Sequence, residues 1–146
     1  MVNARSIKNH FLNSLIKCGR KLSAEKFLAA VLVQLKARSD LSPYDIFYYS
    51  TLNLRPLVFL RPLKVGSTVY RTPAPITNHK RRLYAIAFIL SAVKDSRGSI
   101  TVDRVQDLFM SVYNATKNVA FEKKASMYEE AMSNRSFIRR LKYSLY

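Results

Sequence analysis

The chain has no tryptophan, three glycines, one cysteine, two histidines and nine acidic residues among 146 positions. Each shortage excludes something. Three scattered glycines cannot make a glycine-rich phosphate loop, and a single thiol, Cys18, makes neither an internal disulfide nor a cysteine-based zinc cluster. Cys18 reads as a small buried side chain in a reducing compartment. His10 and His79 are the only imidazoles. Glu129 and Glu130 are adjacent, point in different directions on a helix, and with Lys123 and Lys124 nearby read as a solvated face. No arrangement capable of catalysis emerges, so the chain reads as a non-enzyme without metal or cofactor. Long apolar runs are missing as well: the stretch from Leu83 to Val93, about 11 residues, falls short of the roughly 20 that cross a bilayer.

What the chain does have is positive charge. Lysine and arginine number 25 against nine acids, a net charge of +16 and a pI near 10.3, yet 49% of the residues are hydrophobic. That fraction separates the chain from disordered basic tails and predicts a folded body, and the length suits one domain over residues 1–146. A compact body carrying such charge repels itself, which implies a polyanionic partner, nucleic acid before an anionic membrane.

Apolar spacing predicts a mainly α fold: a six-helix, bundle-like body with one protruding two-stranded β-hairpin at about residues 57–76. In the first helix Ile7, Phe11, Leu12, Leu15 and Ile16 share a face. The first two dozen residues also resemble an organellar transit peptide in composition, but that apolar face continues into the pattern of the body. Gly19 makes a break, and Ser23 with Glu25 starts a second helix with Phe27, Leu28, Val31, Leu32 and Leu35 inward. Ser42, Pro43 and Asp45 open a third, which Pro56 closes. Leu57 to Arg61 and Ser67 to Ile76 read as strands around a turn at Leu63 to Gly66. Pro62, Pro73 and Pro75 confine them to a ribbon with free edges, which has to lean on the body to be stable. A fourth helix from about Asn78 to Lys94 is apolar on nearly all sides and reads as the central one. Thr101 and Asp103 open a fifth, with Val102, Val105, Leu108, Phe109 and Val112 inward, and a sixth runs from about Val119 to Tyr143.

One placement runs against the physics of helices. The positive end of the helix dipole favours acids, and Glu25, Asp45 and Asp103 accordingly fall in opening turns, whereas the fourth helix opens with His79, Lys80, Arg81 and Arg82. An external phosphate would satisfy both those cations and the free N–H groups of the first turn. Arg55, Arg61, Lys64 and Arg71 lie on or beside the hairpin, interleaved with Phe59 and Tyr70, which supply ring faces for an unpaired base. Phe59 reads more readily as the hairpin's packing contact. A further cationic turn holds Arg135, Arg139, Arg140 and Lys142.

The blocks "KCGRKLSAEKF", "LNLRP", "KVGSTVYRTP", "RRLYAIAFIL" and "SMYEEAMSNRSFIRRLKY", in this order, resemble the small-subunit ribosomal protein S-seven family over nearly the whole chain. The resemblance implies a structural protein that binds the 3′ major domain of small-subunit ribosomal RNA and organises head assembly. It would lie near the exit-site tRNA and the mRNA exit path, among neighbouring small-subunit proteins. By motif match it implies RNA contacts at Lys21, Arg55, Lys64, Gly66, Tyr70, Arg81 and Arg82, with Asn134 and Arg140 further along. Three departures stand out. Ser67 occupies the place of the family's second hairpin glycine, "MVNAR" is shorter than the usual basic arm, and the sequence ends at Tyr146, short of the family's extended tail. Few glycines with nine tyrosines and eight phenylalanines suggest an AT-rich gene. That points to an organelle-encoded protein of a mitochondrial ribosome, with a plastid or the bacterial cytoplasm as alternatives.

Two rival readings use the same charge. A DNA-binding helical regulator needs an exposed recognition helix, for which the fourth helix is too apolar. A basic membrane-surface protein needs one helix with opposed basic and apolar faces, whereas here the cations spread over several elements.

Overall fold

The computed structural model describes residues 4–95 and 101–139. Among them are six α-helices and one antiparallel hairpin, in the order α1 (Ala4–Leu15), α2 (Lys21–Arg38), α3 (Pro43–Leu54), β1 (Val58–Val65), β2 (Thr68–Pro75), α4 (Asn78–Asp95), α5 (Val102–Tyr113) and α6 (Val119–Ser133). A 3₁₀ turn, Arg135–Phe137, follows α6. The mainly α class and the hairpin are as the sequence predicts.

The helices close on a core in which Phe11, Phe47 and Phe109 meet from α1, α3 and α5. Their ring centroids stand 5.5, 5.4 and 4.1 Å apart, two pairs edge to face and the third tilted, and the quadrupoles of aromatic rings favour such offset contacts. Leu28, Val31 and Leu35 of α2 and Ile86, Ile89 and Val93 of α4 complete the core. Polar groups of α3 that face it are satisfied locally. Ser50 Oγ donates to the Phe109 carbonyl at 3.1 Å and Thr51 Oγ1 to the Phe47 carbonyl at 2.7 Å, so neither carries the penalty of an unpaired buried hydroxyl. Gln106, also buried, donates to the Gln34 carbonyl of α2 at 3.2 Å.

Several predicted details need correction. Cys18 is exposed, not buried, because it and Gly19 make the reversal between α1 and α2 at φ 50° and 71°. The second helix begins at Lys21, two residues before Ser23, so Glu25 lies beyond its first turn and pairs with Lys21 at 3.7 Å. Ser42 and Thr101 stand at cap positions but form no side-chain cap. The one side-chain cap found there among the described helix starts is Asn118, whose Oδ1 accepts from the amides of Ala120 and Phe121. Helix α4 is not apolar all round in its setting: Leu83 and Ala87 are exposed on an outer face. Helix α6 ends at Ser133, where Asn134 takes the C-cap position and the chain tightens into the 3₁₀ turn. The remainder of the predicted sixth helix lies outside the described residues from position 140.

The hairpin turns at Gly66 and Ser67, so β1 runs four residues beyond its predicted end. Gly66 has φ 60° and Ser67 is not left-handed, the combination of a type II′ turn, which needs glycine only at its first central position. Serine in place of a second glycine is thereby accommodated. A Cβ at Gly66 would meet nothing within 4 Å, so the requirement there is backbone conformation rather than space. The base of the ribbon leans on α6 and the 3₁₀ turn, while Lys64 to Val69 at its tip are exposed.

Truncating Phe109 removes the ring shared by both other core phenylalanines. Phe109→Ala is expected to lower the unfolding free energy by about 3–5 kcal/mol in urea denaturation, against no more than about 0.5 kcal/mol for truncation of an exposed side chain on the surface of α2.

Candidate nucleic-acid interface

The segment from Asn53 to Leu57, where α3 gives way to β1, positions the basic residues. Pro56 disfavours helical backbone in the residue before it, and Arg55 is accordingly extended at φ −60° and ψ 122°. Side chains from the neighbouring helices then fix the segment. Asn53 Nδ2 donates to the Val112 carbonyl at 3.0 Å, Lys124 Nζ donates to the Asn53 carbonyl at 2.8 Å, and the Leu57 amide donates to Tyr128 Oη at 2.9 Å. The Ile76 amide meets the Leu57 carbonyl at 3.3 Å and closes the base of the hairpin. Arg81 Nε donates to the Ile76 carbonyl at 3.1 Å, tying the start of α4 to the same place.

Three guanidiniums converge here. Burial holds that of Arg55 below its ordinary value; Tyr48 works in the opposite direction, and the positive charges of Arg82 and Arg81 lower it further. Arginine remains charged at neutral pH regardless, so the consequence is a like-charge cluster rather than a deprotonated group. The Arg55 guanidinium stands 5.8 Å from the centroid of the Tyr48 ring, a cation–π contact that offsets part of the desolvation. Among the described residues, Arg55 Nε and Nη2 and Arg82 Nε are buried without a hydrogen-bond acceptor. The ion pairs of the described residues use Glu25, Asp107, Glu130 and Asp95, and none of them reaches these three arginines.

The other predicted residues surround the cluster unevenly. Lys80 is exposed and lines a shallow cleft with Phe59, Leu83, Tyr84 and Ala87. Phe59 packs toward Tyr84 with centroids 6.1 Å apart, in line with its reading as a packing contact. His79 is exposed and meets His10 of α1 edge to face at 5.5 Å. Arg61, Lys64 and Gly66 are exposed along the ribbon. Tyr70 is half-buried with its ring 4.9 Å from that of Phe137, and Arg71 pairs with Glu130 at 2.9 Å, so both hold the hairpin against α6 and the 3₁₀ turn. Glu130 is therefore a tether and not merely part of a solvated face. Asn134 acts through its backbone, as the C-cap of α6. Arg139 is exposed, and Arg140 lies outside the described residues. Lys21 sits apart, on the rim of a groove between α1 and α2 that also carries Lys8. Helix α2 packs chiefly on α1, α3 and α5, whereas the hairpin leans on α6 and the 3₁₀ turn.

Sequence reading missed Tyr48 as the partner of Arg55, although a signal was present: it stands seven residues before Arg55, about two helical turns back along α3 from the residue that follows the helix. It also missed Lys124 and Tyr128 as the residues that hold the junction. No helix among the described residues is long and apolar enough to cross a membrane. Nor do the described residues contain a group of three or more histidine, cysteine, aspartate or glutamate side chains placed to hold a metal ion.

Comparison with known proteins supplies a family. The family described as Ribosomal protein S7p/S5e matches residues 2–135. Among curated relatives, small ribosomal subunit protein uS7 of Thermotoga neapolitana is 26% identical over 126 residues, covering 86% of this chain and 81% of the relative. The protein of the same name from Mesorhizobium japonicum is 25% identical over 131 residues, covering 90% and 83%. That from Xanthobacter autotrophicus is 28% identical over 131 residues, covering 88% and 82%.

The Arg71–Glu130 tether is exposed on both sides, so its strength should be small and sensitive to salt. A double-mutant cycle on Arg71→Ala and Glu130→Ala is expected to give a coupling of about 0.2–1 kcal/mol in dilute buffer, fading at high salt. A coupling that persisted in high salt would mean that the pair is shielded from solvent.

Proposed function

The chain belongs to the ribosomal protein S7p/S5e family, and from that premise we propose that it binds the 3′ major domain of small-subunit ribosomal RNA through the hairpin and the start of α4. Its role is that of a structural component of the small ribosomal subunit, not an enzyme. In this reading the protein organises the head of the subunit, contacts neighbouring ribosomal proteins, and lies near the exit-site tRNA and the mRNA exit path.

The observation that carries the reading is the gathering of Arg55, Arg81 and Arg82 at the base of an exposed basic ribbon, with no carboxylate among the described residues paired to any of them. Cations assembled without acids suit a phosphate backbone. Lys80, Arg61 and Lys64 extend the surface, and His79 and Arg139 lie along its proposed margins; Arg140 is assigned to it by motif match alone. Arg71 and Tyr70 take part by setting the angle of the ribbon. Recognition rests on shape and multipoint charge neutralisation, as folded RNA is read mainly through its backbone, its 2′-hydroxyls and its splayed bases. The relatives cited are bacterial. An organelle-encoded origin in a mitochondrial ribosome is the reading that the composition favours, on the strength of three glycines, no tryptophan and 12% aromatic residues.

Equilibrium binding to a 3′-domain RNA fragment and to a scrambled RNA of equal length, across a salt series, tests the proposal. A protein covering about six to ten phosphates loses roughly three to five decades of affinity between about 50 and 200 mM salt if the DNA slope transfers. The authentic fragment is expected to stay far tighter than the scrambled one at the high end. Coincident curves would reduce the surface to non-specific charge and refute the assignment.

A further inference from the structure

We infer that Arg55 and Arg82 form a discrete oxyanion site that takes one backbone phosphodiester of the bound RNA. The inference rests on the RNA-binding reading above and goes beyond it, because it separates one phosphate from the rest of a diffuse electrostatic surface.

The free protein keeps this cluster in an unrelieved state. Three buried N–H-bearing nitrogens, Nε and Nη2 of Arg55 and Nε of Arg82, find no acceptor among the described residues. Unpaired buried donors, and charged ones most of all, are costly to retain. Like charges at close quarters add to that cost, and the cation–π contact with Tyr48 offsets only part of it. Withdrawal of the Arg55 backbone from α4 would relieve the repulsion, but the segment is not free to move. Pro56 on one side and the bonds from Asn53 to Val112, Lys124 to Asn53 and Tyr128 to Leu57 fix the residue where it stands.

An arriving phosphate solves each problem at once. It accepts from several guanidinium donors in the forked geometry that arginine presents, and it neutralises the mutual repulsion. Turning the donors of Arg55 and Arg82 outward breaks no hydrogen bond at the three orphaned nitrogens, because none is made there. Arg81 differs: its Nε is already committed to the Ile76 carbonyl at 3.1 Å, which anchors its stem and leaves the other two to grip. A phosphate held in this half-buried place is screened by salt less than one held by the exposed Lys64 or Lys80. The site therefore accounts for affinity that survives at high salt, and the outer lysines for affinity that does not.

The test uses the full chain with inorganic phosphate as probe, then with the 3′-domain RNA fragment, comparing wild type with Arg55→Gln, Arg82→Gln and Lys94→Gln. Lys94 is exposed at the opposite end of α4 from the cluster. Phosphate is expected to raise the melting temperature of wild type and Lys94→Gln saturably at fixed ionic strength, and to leave only a shallow non-saturating rise in the two arginine variants. That residual rise is the general effect of excluded anions and is shared by every variant. In chloride, Arg55→Gln is expected to melt no lower than wild type, which shows that loss of the phosphate response is not loss of the fold. On RNA, each arginine variant is expected to lose roughly tenfold to a hundredfold in affinity at high salt, with Lys94→Gln unchanged. A wild-type melting temperature that rises no more with phosphate than that of Arg55→Gln would overturn the site. A saturable phosphate response with RNA affinity untouched in both arginine variants would overturn the phosphodiester assignment and leave a free-anion site. Failure to prefer authentic over scrambled RNA would instead refute the ribosomal RNA reading, and the phosphate titration would still report on the cluster.

Discussion

The pinned junction between α3 and the hairpin is the constraint on which the rest of the molecule depends. A lone two-stranded ribbon is marginal in water, and a cluster of three arginines disperses if its backbone is free to move. Both conditions are met by fixing five residues. Asn53 is held from α5, the Asn53 carbonyl from Lys124, and the Leu57 amide from Tyr128, so two helices that follow in sequence determine where the preceding segment points. The aromatic core beneath, with Phe47 of α3 against Phe109 of α5, gives those helices a rigid relation to each other.

Scarcity of acids gives this arrangement its electrostatic character. Nine carboxylates stand against 25 cations, and four of the nine are engaged in the ion pairs of the described residues. Three of these pairs join different elements: Arg38 of α2 to Asp107 of α5, Arg71 of β2 to Glu130 of α6, and Lys123 of α6 to Asp95 of α4. The acids thus hold helices and ribbon together, and none of these ion pairs reaches the cations at the base of the hairpin. Burial lowers the affinity of Lys124 for its proton in the same way as it acts on Arg55. Because the folded-state value of Lys124 lies below the unfolded one, its burial costs stability while the residue is charged, and the cost is released as pH rises toward the ordinary lysine value of 10.5.

Much of this was legible before the structure. Periodicity located the six helices because each has an apolar face that the core requires, and prolines located the ribbon because only a free-edged hairpin accepts them at Pro62 and Pro73. The cations that open α4 against the helix dipole include Arg81 and Arg82, and the fold sets both beside Arg55. What could not be read was tertiary. Cys18 is exposed because the α1–α2 reversal turns it outward, and neither composition nor spacing encodes that turn's direction. Glu130 looked solvated because its partner, Arg71, lies 59 positions away. Arg71 and Tyr70 read as RNA-facing from residue type and motif match, and the fold adds contacts of both with the body that no local signal shows. Local signals do not reveal which cations remain unpaired once the fold has used the others.

The central claim is that one end of the molecule, the ribbon and the start of α4, faces RNA. Amine-acetylation footprinting of the chain, free and bound to the 3′-domain RNA fragment, addresses it directly, since Lys64, Lys80 and Lys94 are all exposed in the free protein. Lys64 at the ribbon tip and Lys80 at the start of α4 are predicted to become protected on binding, while Lys94 at the far end of the same helix stays reactive. Protection of Lys94 with Lys64 and Lys80 left reactive would place the RNA on the opposite end of the body and contradict the account.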